Sequence, residues 1–124
     1  VREISFFVNS SLGQRMARAA SKGRLYREQP FVICKSAGEL NDEWNSNETV
    51  LIQGIMDAWF EEEGDLILVD YKTDFIRRGE ENVLKERYRV QLESYADALE
   101  RMTGRKVREK VIYSFALGQE IFIG

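Results

Sequence analysis

The sequence predicts a single α/β domain over residues 1–124: a central mixed sheet that opens with three antiparallel strands, with helices flanking it. Three observations carry this. Two strongly apolar runs, 50–60 and 66–73, are separated only by a short acidic turn containing Gly64, which is the pattern of a hairpin. A third run, 26–36, precedes them and ends in a polar stretch. A long segment with helical periodicity then comes before a final apolar run, so the last strand is reached by a crossover.

Taken in order, residues 2–8 (REISFFV) read as a short helix or an extended apolar entry. Ser10 or Ser11 is placed to cap a helix through Leu12, Met16, Ala19 and Ala20, and Gly23 suits the position just past its end. Residues 26–36 (YREQPFVICKS) form a strand that contains the only proline, Pro30, so it belongs at a sheet edge or at a strand start. The stretch from Asn41 to Glu48 is polar and reads as a loop. After the two apolar strands, residues 74–82 are a charged loop with Gly79. From about 83 to 102 the apolar positions Tyr88, Leu92, Tyr95, Leu99 and Met102 recur at steps of four and three, which defines one helix face. Thr103 and Gly104 end that helix. Residues 106–117 are the last long strand, and 121–123 a short extra one.

Composition narrows the chemistry. The chain has no histidine and one cysteine. A Ser-His-Asp triad and histidine-based zinc sites are therefore excluded, and no internal disulfide is possible, which fits a reducing, cytoplasmic setting. Cys34 lies in the apolar run FVIC and reads as a buried strand residue rather than a nucleophile. No apolar run approaches the ~18 residues of a membrane helix, and the first residues lack the pattern of a signal peptide. The chain does not begin with Met and is expected to be a piece of something longer.

Charge is distributed unevenly beneath a net value of −3. Residues 1–27 carry six Lys/Arg and one acid, 28–71 one Lys and eleven acids, and 72–110 eleven Lys/Arg and eight acids. Basic flanks suit a phosphate backbone, and an acidic centre suits a divalent cation; a solvated surface with acidic loops has the same statistics.

The central hairpin gives the sharper signal. If Glu63 and Gly64 form the turn, residues equally far from it face each other, and the sixth residue on each side is an aspartate, Asp57 and Asp70. Facing residues have Cβ atoms ~4.5–5.5 Å apart on one sheet face, and Lys72, two residues on, shares that face. Two such carboxylates repel each other and require a compensating charge. A divalent metal with oxygen ligands supplies it, with the Tyr71 carbonyl as a further ligand. A metal so held lowers the pKa of bound water and stabilises charge on a phosphate, while Lys72 orients or deprotonates that water or neutralises developing charge. That is the chemistry of phosphodiester hydrolysis. The plainer reading is a salt bridge from Lys72 to one aspartate with the other at a solvated strand end.

The phrase VDYKT (Val69–Thr73), with Asp57 thirteen residues before Asp70 in IQGIMD, resembles the RecB-like nucleases of the PD-(D/E)xK superfamily. Arg27-Glu28-Gln29-Pro30-Phe31 is similar to that family's E-x-P-F strand, and Gln91-Leu92-Glu93-Ser94-Tyr95 to its Gln-x-x-x-Tyr helix motif. Phe6-Phe7 followed by Ser11-Leu12-Gly13 looks like the lead-in to the nuclease region of AddA-type helicase–nuclease subunits. The resemblance covers nearly the whole chain and implies a restriction-endonuclease-like fold. It implies Asp57 and Asp70 as ligands of Mg²⁺ or Mn²⁺, and Lys72 as the catalytic lysine. Gln91 and Tyr95, one helical turn apart, would sit beside the site, with core packing the other reading of Tyr95. Glu28 is implied either near the metal or in a strand-edge salt bridge.

As function, the resemblance implies a DNA exonuclease domain of an ATP-dependent helicase–nuclease in double-strand-break repair and recombination, acting on single-stranded ends. The implied partners are the parent chain's helicase portion and a second subunit, with no membrane. The alternative is a non-catalytic DNA-binding or docking module that keeps the fold. One departure matters: these nucleases usually carry a metal-binding His on a preceding helix, and this chain has none. The expectation is that the chain starts after that helix, and that by itself it binds metal weakly and cuts poorly, if at all.

Overall fold

The computed structural model describes residues 2–40, 43 and 48–124 of the chain. The elements run α1 (Arg2–Asn9), α2 (Ser11–Ser21), β1 (Leu25–Ser36), α3 (Ala37–Leu40), β2 (Thr49–Glu62), β3 (Asp65–Lys72), α4 (Glu81–Thr103), β4 (Val107–Ser114) and β5 (Gln119–Ile123). The five strands form one sheet in the order β1-β2-β3-β4-β5. The first three pair antiparallel, β4 joins β3 in parallel after the α4 crossover, and β5 returns antiparallel on β4. The mixed sheet with an antiparallel three-strand start is therefore observed, and Pro30 lies in an edge strand, where its missing N–H costs no ladder bond.

Local chemistry sets the boundaries. Ser10 is extended and its side chain accepts the Gly13 N–H at 3.0 Å, so α2 begins at Ser11, and Gly23 lies just beyond its end with φ +69°. The N-terminus of α2 has a second, distant partner: the Leu12 N–H donates to Glu120 Oε1 of β5, 108 residues away. Glu63 and Gly64 both have positive φ, +54° and +86°, the backbone of a two-residue I′ turn, and Glu62 pairs with Asp65 across it.

The sheet carries an apolar layer on each face. On one, Phe31, Ile33, Met56, Leu66, Leu68 and Ile112 pack on Leu84, Leu92, Ala96 and Leu99 of α4. On the other, Ala58, Phe60, Ile67, Val69, Val111 and Tyr113 pack on Leu12, Met16 and Ala19 of α2. Met56 and Ala58 are two residues apart yet belong to different layers, whereas a regular strand would put both on one face. The strand therefore changes phase at Asp57. On β1, the residue between the Arg27↔Ala58 and Gln29↔Met56 pairs is Glu28, whose φ is +50°. A paired irregularity of this kind re-aims a side chain.

Three expectations are corrected. Cys34 is exposed: FVIC belongs to an edge hairpin covered on one face only, so Phe31 and Ile33 are buried while Val32 and Cys34 face outward. Met102 is 45% exposed, and Leu84, Ala96 and Ala98 complete the buried face of α4 instead. The short α3 has no counterpart among the expected elements. The polar segment expected from Asn41 to Glu48 lies largely outside the described residues. No described helix is long and apolar enough to cross a membrane.

Candidate active site

The two aspartates meet where the β2–β3 ladder ends. Backbone pairing runs from Glu62↔Asp65 to Ala58↔Val69, and continuing that register sets Asp57 against Asp70. At this point a side chain replaces the backbone: Asp57 Oδ2 accepts the Tyr71 N–H at 2.9 Å. An extended residue turns its N–H and C=O to the same side, and the Lys72 carbonyl accepts from Phe115 N on the β4 side. The Tyr71 carbonyl is therefore directed toward β2, as Asp57 requires. Behind the strand, the Tyr71 ring packs edge-on to Phe7 at 5.5 Å and tilts against Phe115 at 5.9 Å, which fixes this stretch of backbone from the α1 side.

Asp70 is 4% exposed. Burial pushes its carboxyl up to about 6, with the Lys72 ammonium pulling down and the adjacent Asp57 carboxyl pushing up again. The Lys72 ammonium lies 2.8 Å from Asp70 Oδ2, donates to Gln91 Oε1 at 3.0 Å and sits 3.9 Å from the centre of the Tyr88 ring. Although burial works against its charge, the Asp70 carboxylate wins and the lysine pKa is raised, so Lys72 is an ammonium at neutral pH. The Gln91 amide is held from both ends, since its Nε2 donates to Tyr95 Oη at 3.3 Å. Tyr95 meets the Phe31 ring edge at 5.2 Å, and a Cβ added at Gly54 would lie 3.0 Å from Phe31 Cε1 and 3.4 Å from Tyr95 Oη. A Cβ at Gly54 would make the Phe31 ring give way by a few tenths of an ångström. The Tyr88 hydroxyl donates to Asp74 at 2.8 Å, and Asp74 also takes Arg87 at 2.6 Å.

Of the seven residues singled out in the sequence, Asp57, Asp70, Tyr71, Lys72, Gln91 and Tyr95 form one connected cluster. Tyr95 packs on Phe31 and accepts from the Gln91 amide. Glu28 stands apart: its side chain is exposed and has no hydrogen-bond or ion-pair partner among the described residues. Its geometric contribution is the backbone kink opposite Asp57. The acidic centre of the sequence divides in two. Glu61 and Glu62 lie at the turn end of the hairpin, paired with Arg105 at 2.6 Å and with Arg15 and Arg108 at 2.8 and 2.7 Å. Their charge is neutralised by arginines, and only Asp57 and Asp70 of that centre face each other in the cluster.

A profile of the PD-(D/E)XK nuclease superfamily matches residues 7–122. The chain belongs to that superfamily. Similar proteins include three ATP-dependent helicase/nuclease subunits of the A type. One, from Thermoanaerobacter sp. (strain X514), is 46% identical over 95% of this chain. Those from Clostridium beijerinckii and Acetivibrio thermocellus are 44% and 47% identical over 97% and 88% of it. The chain spans about a tenth of the length of these relatives, 10%, 10% and 9%.

Nucleases of the PD-(D/E)XK superfamily generally use a divalent metal ion, and the donor set here suits one in part. Two oxygen donors, Asp57 and Asp70, stand together, and the raised proton affinity of Asp70 marks a place short of positive charge. No group of three His, Cys, Asp or Glu side chains capable of holding a metal exists among the described residues. A complete shell would therefore draw on the Tyr71 carbonyl, water or substrate. Sequence reasoning missed Tyr88, Asp74 and Gly54. In the sequence Tyr88 signals only an apolar helix face, and Gly54 gives no signal until the fold brings α4 over β2.

Proposed function

We propose that the chain is the nuclease module of an ATP-dependent helicase–nuclease, hydrolysing DNA with Asp57, Asp70 and Lys72. The observation that carries the reading is the adjacency of two aspartate carboxyls and one ammonium at the end of the β2–β3 ladder. Asp57, Asp70 and the Tyr71 carbonyl would hold Mg²⁺ or Mn²⁺. Such an ion supplies an activated water and stabilises charge on the attacked phosphate. The protein's own part is positional. Lys72, held beside Asp70 and Gln91, directs N–H donors toward a phosphate oxygen or the attacking water, or takes that water's proton. Gln91, Tyr88 and Asp70 hold that ammonium, and Tyr95 sets the Gln91 amide so that its oxygen meets the lysine.

The relatives' names support placing this module beside a helicase. On this reading the motor delivers single-stranded ends, a second subunit completes the complex, and the process served is break repair and recombination. A His from an upstream helix would complete the metal shell. The small donor set found among the described residues favours a second reading, a docking or DNA-binding module that keeps the nuclease fold without cutting. Calorimetric titration of Mn²⁺ into wild type, Asp57→Asn and Asp70→Asn, with cleavage measured in parallel, separates them. Metal binding lost in both variants, with metal-dependent cleavage by wild type, supports the nuclease. Equal affinity in all three proteins refutes the metal assignment.

A further inference from the structure

Phe75 is the most exposed large apolar residue among those described, at 85%. A single exposed apolar side chain needs no explanation by itself. Three features distinguish this one. It follows Lys72 by three residues, so at most about 10 Å of chain separates it from the ammonium. Both of its neighbours are fastened: Asp74 is bound by the Tyr88 hydroxyl at 2.8 Å and by Arg87 at 2.6 Å, and Ile76 is 8% exposed within the core. Phe75 itself has no aromatic partner among the described residues, so the fastened loop presents the ring to solvent. Next along the chain come Arg77 and Arg78, both exposed and neither in an ion pair among the described residues.

A presented aromatic face beside unpaired cations is the arrangement that holds single-stranded nucleic acid: the ring stacks on a base whatever its identity, and the cations track the backbone. A duplex keeps its bases stacked on one another and offers no free face to such a ring. We propose that Phe75 stacks on an unpaired base next to the attacked phosphate and thereby selects single-stranded over duplex DNA. The proposal deepens the nuclease reading and rests on it for the position of the phosphate. An alternative occupant, an apolar segment of another protein, would use the bulk of the ring but not its π face.

The test is equilibrium binding of the chain to labelled oligo(dT) and to a duplex of equal length, in EDTA at low salt. Fluorescence of an oligonucleotide containing 2-aminopurine serves as the stacking signal. Phe75→Ala and Phe75→Leu are expected to weaken oligo(dT) binding by roughly 5- to 100-fold, leave duplex binding unchanged and abolish the 2-aminopurine quench, while Phe75→Trp retains all three properties. Wild-type affinity in the Leu variant, equal losses for both DNAs, or no oligo(dT) binding by wild type would each overturn the proposal. Cleavage in Mg²⁺ is read separately. Loss of stacking in the Phe75 variants, with Mn²⁺ affinity equal in wild type, Asp57→Asn and Asp70→Asn, sinks the nuclease reading alone, and Mn²⁺ affinity lost in both aspartate variants with oligo(dT) binding unchanged in Phe75→Leu sinks the stacking alone.

Discussion

Replacing Asp70 by asparagine should make the metal-free protein more stable while removing its chemistry. The side chain is 4% exposed and its carboxyl is pushed up to about 6 from an ordinary 3.8. Between those values the unfolded chain has released its proton and the folded chain has not, so folding stability falls as pH rises through this window. Above it the full penalty persists. Roughly two pH units at about 1.4 kcal/mol each make it about 3 kcal/mol at neutral pH. That value already contains the attraction of Lys72, whose pull on Asp70 is downward. An amide of the same shape carries no such penalty. In EDTA at pH 8, Asp70→Asn should raise Tm by about 12 °C, and the gap should close below about pH 4, where the wild-type carboxyl is protonated in both states. Thermal unfolding followed by circular dichroism across that pH range reads both. A variant no more stable than wild type at pH 8, or a gap that ignores pH, would refute the claim that this carboxylate is held against its own solvation.

Mn²⁺ affinity should fall below about pH 6, approaching a tenfold loss per pH unit, because the ion must displace the Asp70 proton; calorimetry at graded pH checks this. Lys72→Met should abolish cleavage and raise the Asp70 carboxyl above about 6, visible in a carboxyl ¹³C titration, since the ammonium is the cation that pulls it down. Gly54→Ala should lower kcat with little change in Tm. Its Cβ would stand 3.0 Å from Phe31 Cε1 and 3.4 Å from Tyr95 Oη, displacing the pair that sets Gln91, while the smaller backbone entropy of Ala offsets the crowding. At Gly13 helix propensity favours Ala by about 1 kcal/mol. Yet a Cβ there meets the Phe7 carbonyl oxygen at 2.1 Å, so Gly13→Ala should destabilise by about 2 kcal/mol or more in denaturant unfolding.

The hairpin was legible because a two-residue turn leaves no freedom in register: with Glu63 and Gly64 both at positive φ, the place of Asp57 against Asp70 follows from counting. The helix motif was legible for a similar reason, since Gln91 and Tyr95 lie one turn apart on any helix. The change of phase at Asp57 was not, because it depends on Glu28 adopting φ +50° on a strand paired by long-range contacts. Nor was the sorting of the acids. Glu61 and Glu62 look as available as Asp57 until the sheet brings Arg15, Arg105 and Arg108 to them. The exposure of Cys34 was hidden because an apolar strand does not announce which of its faces another layer will cover.

The bond from the Leu12 amide to Glu120 gives the domain a temporal property. During synthesis α2 emerges early, with Ser10 as its local cap, but its second anchor is translated 108 residues later. At a translation rate of about 5–20 residues per second α2 waits roughly 5 to 20 seconds for that carboxylate. The layer built on Leu12, Met16 and Ala19 is uncovered until β3 and β4 follow, and it lacks its distant anchor until β5 does. A ribosome stalled before β5 should therefore display a nascent chain whose α2 is readily cut by protease, and emergence of β5 should protect it.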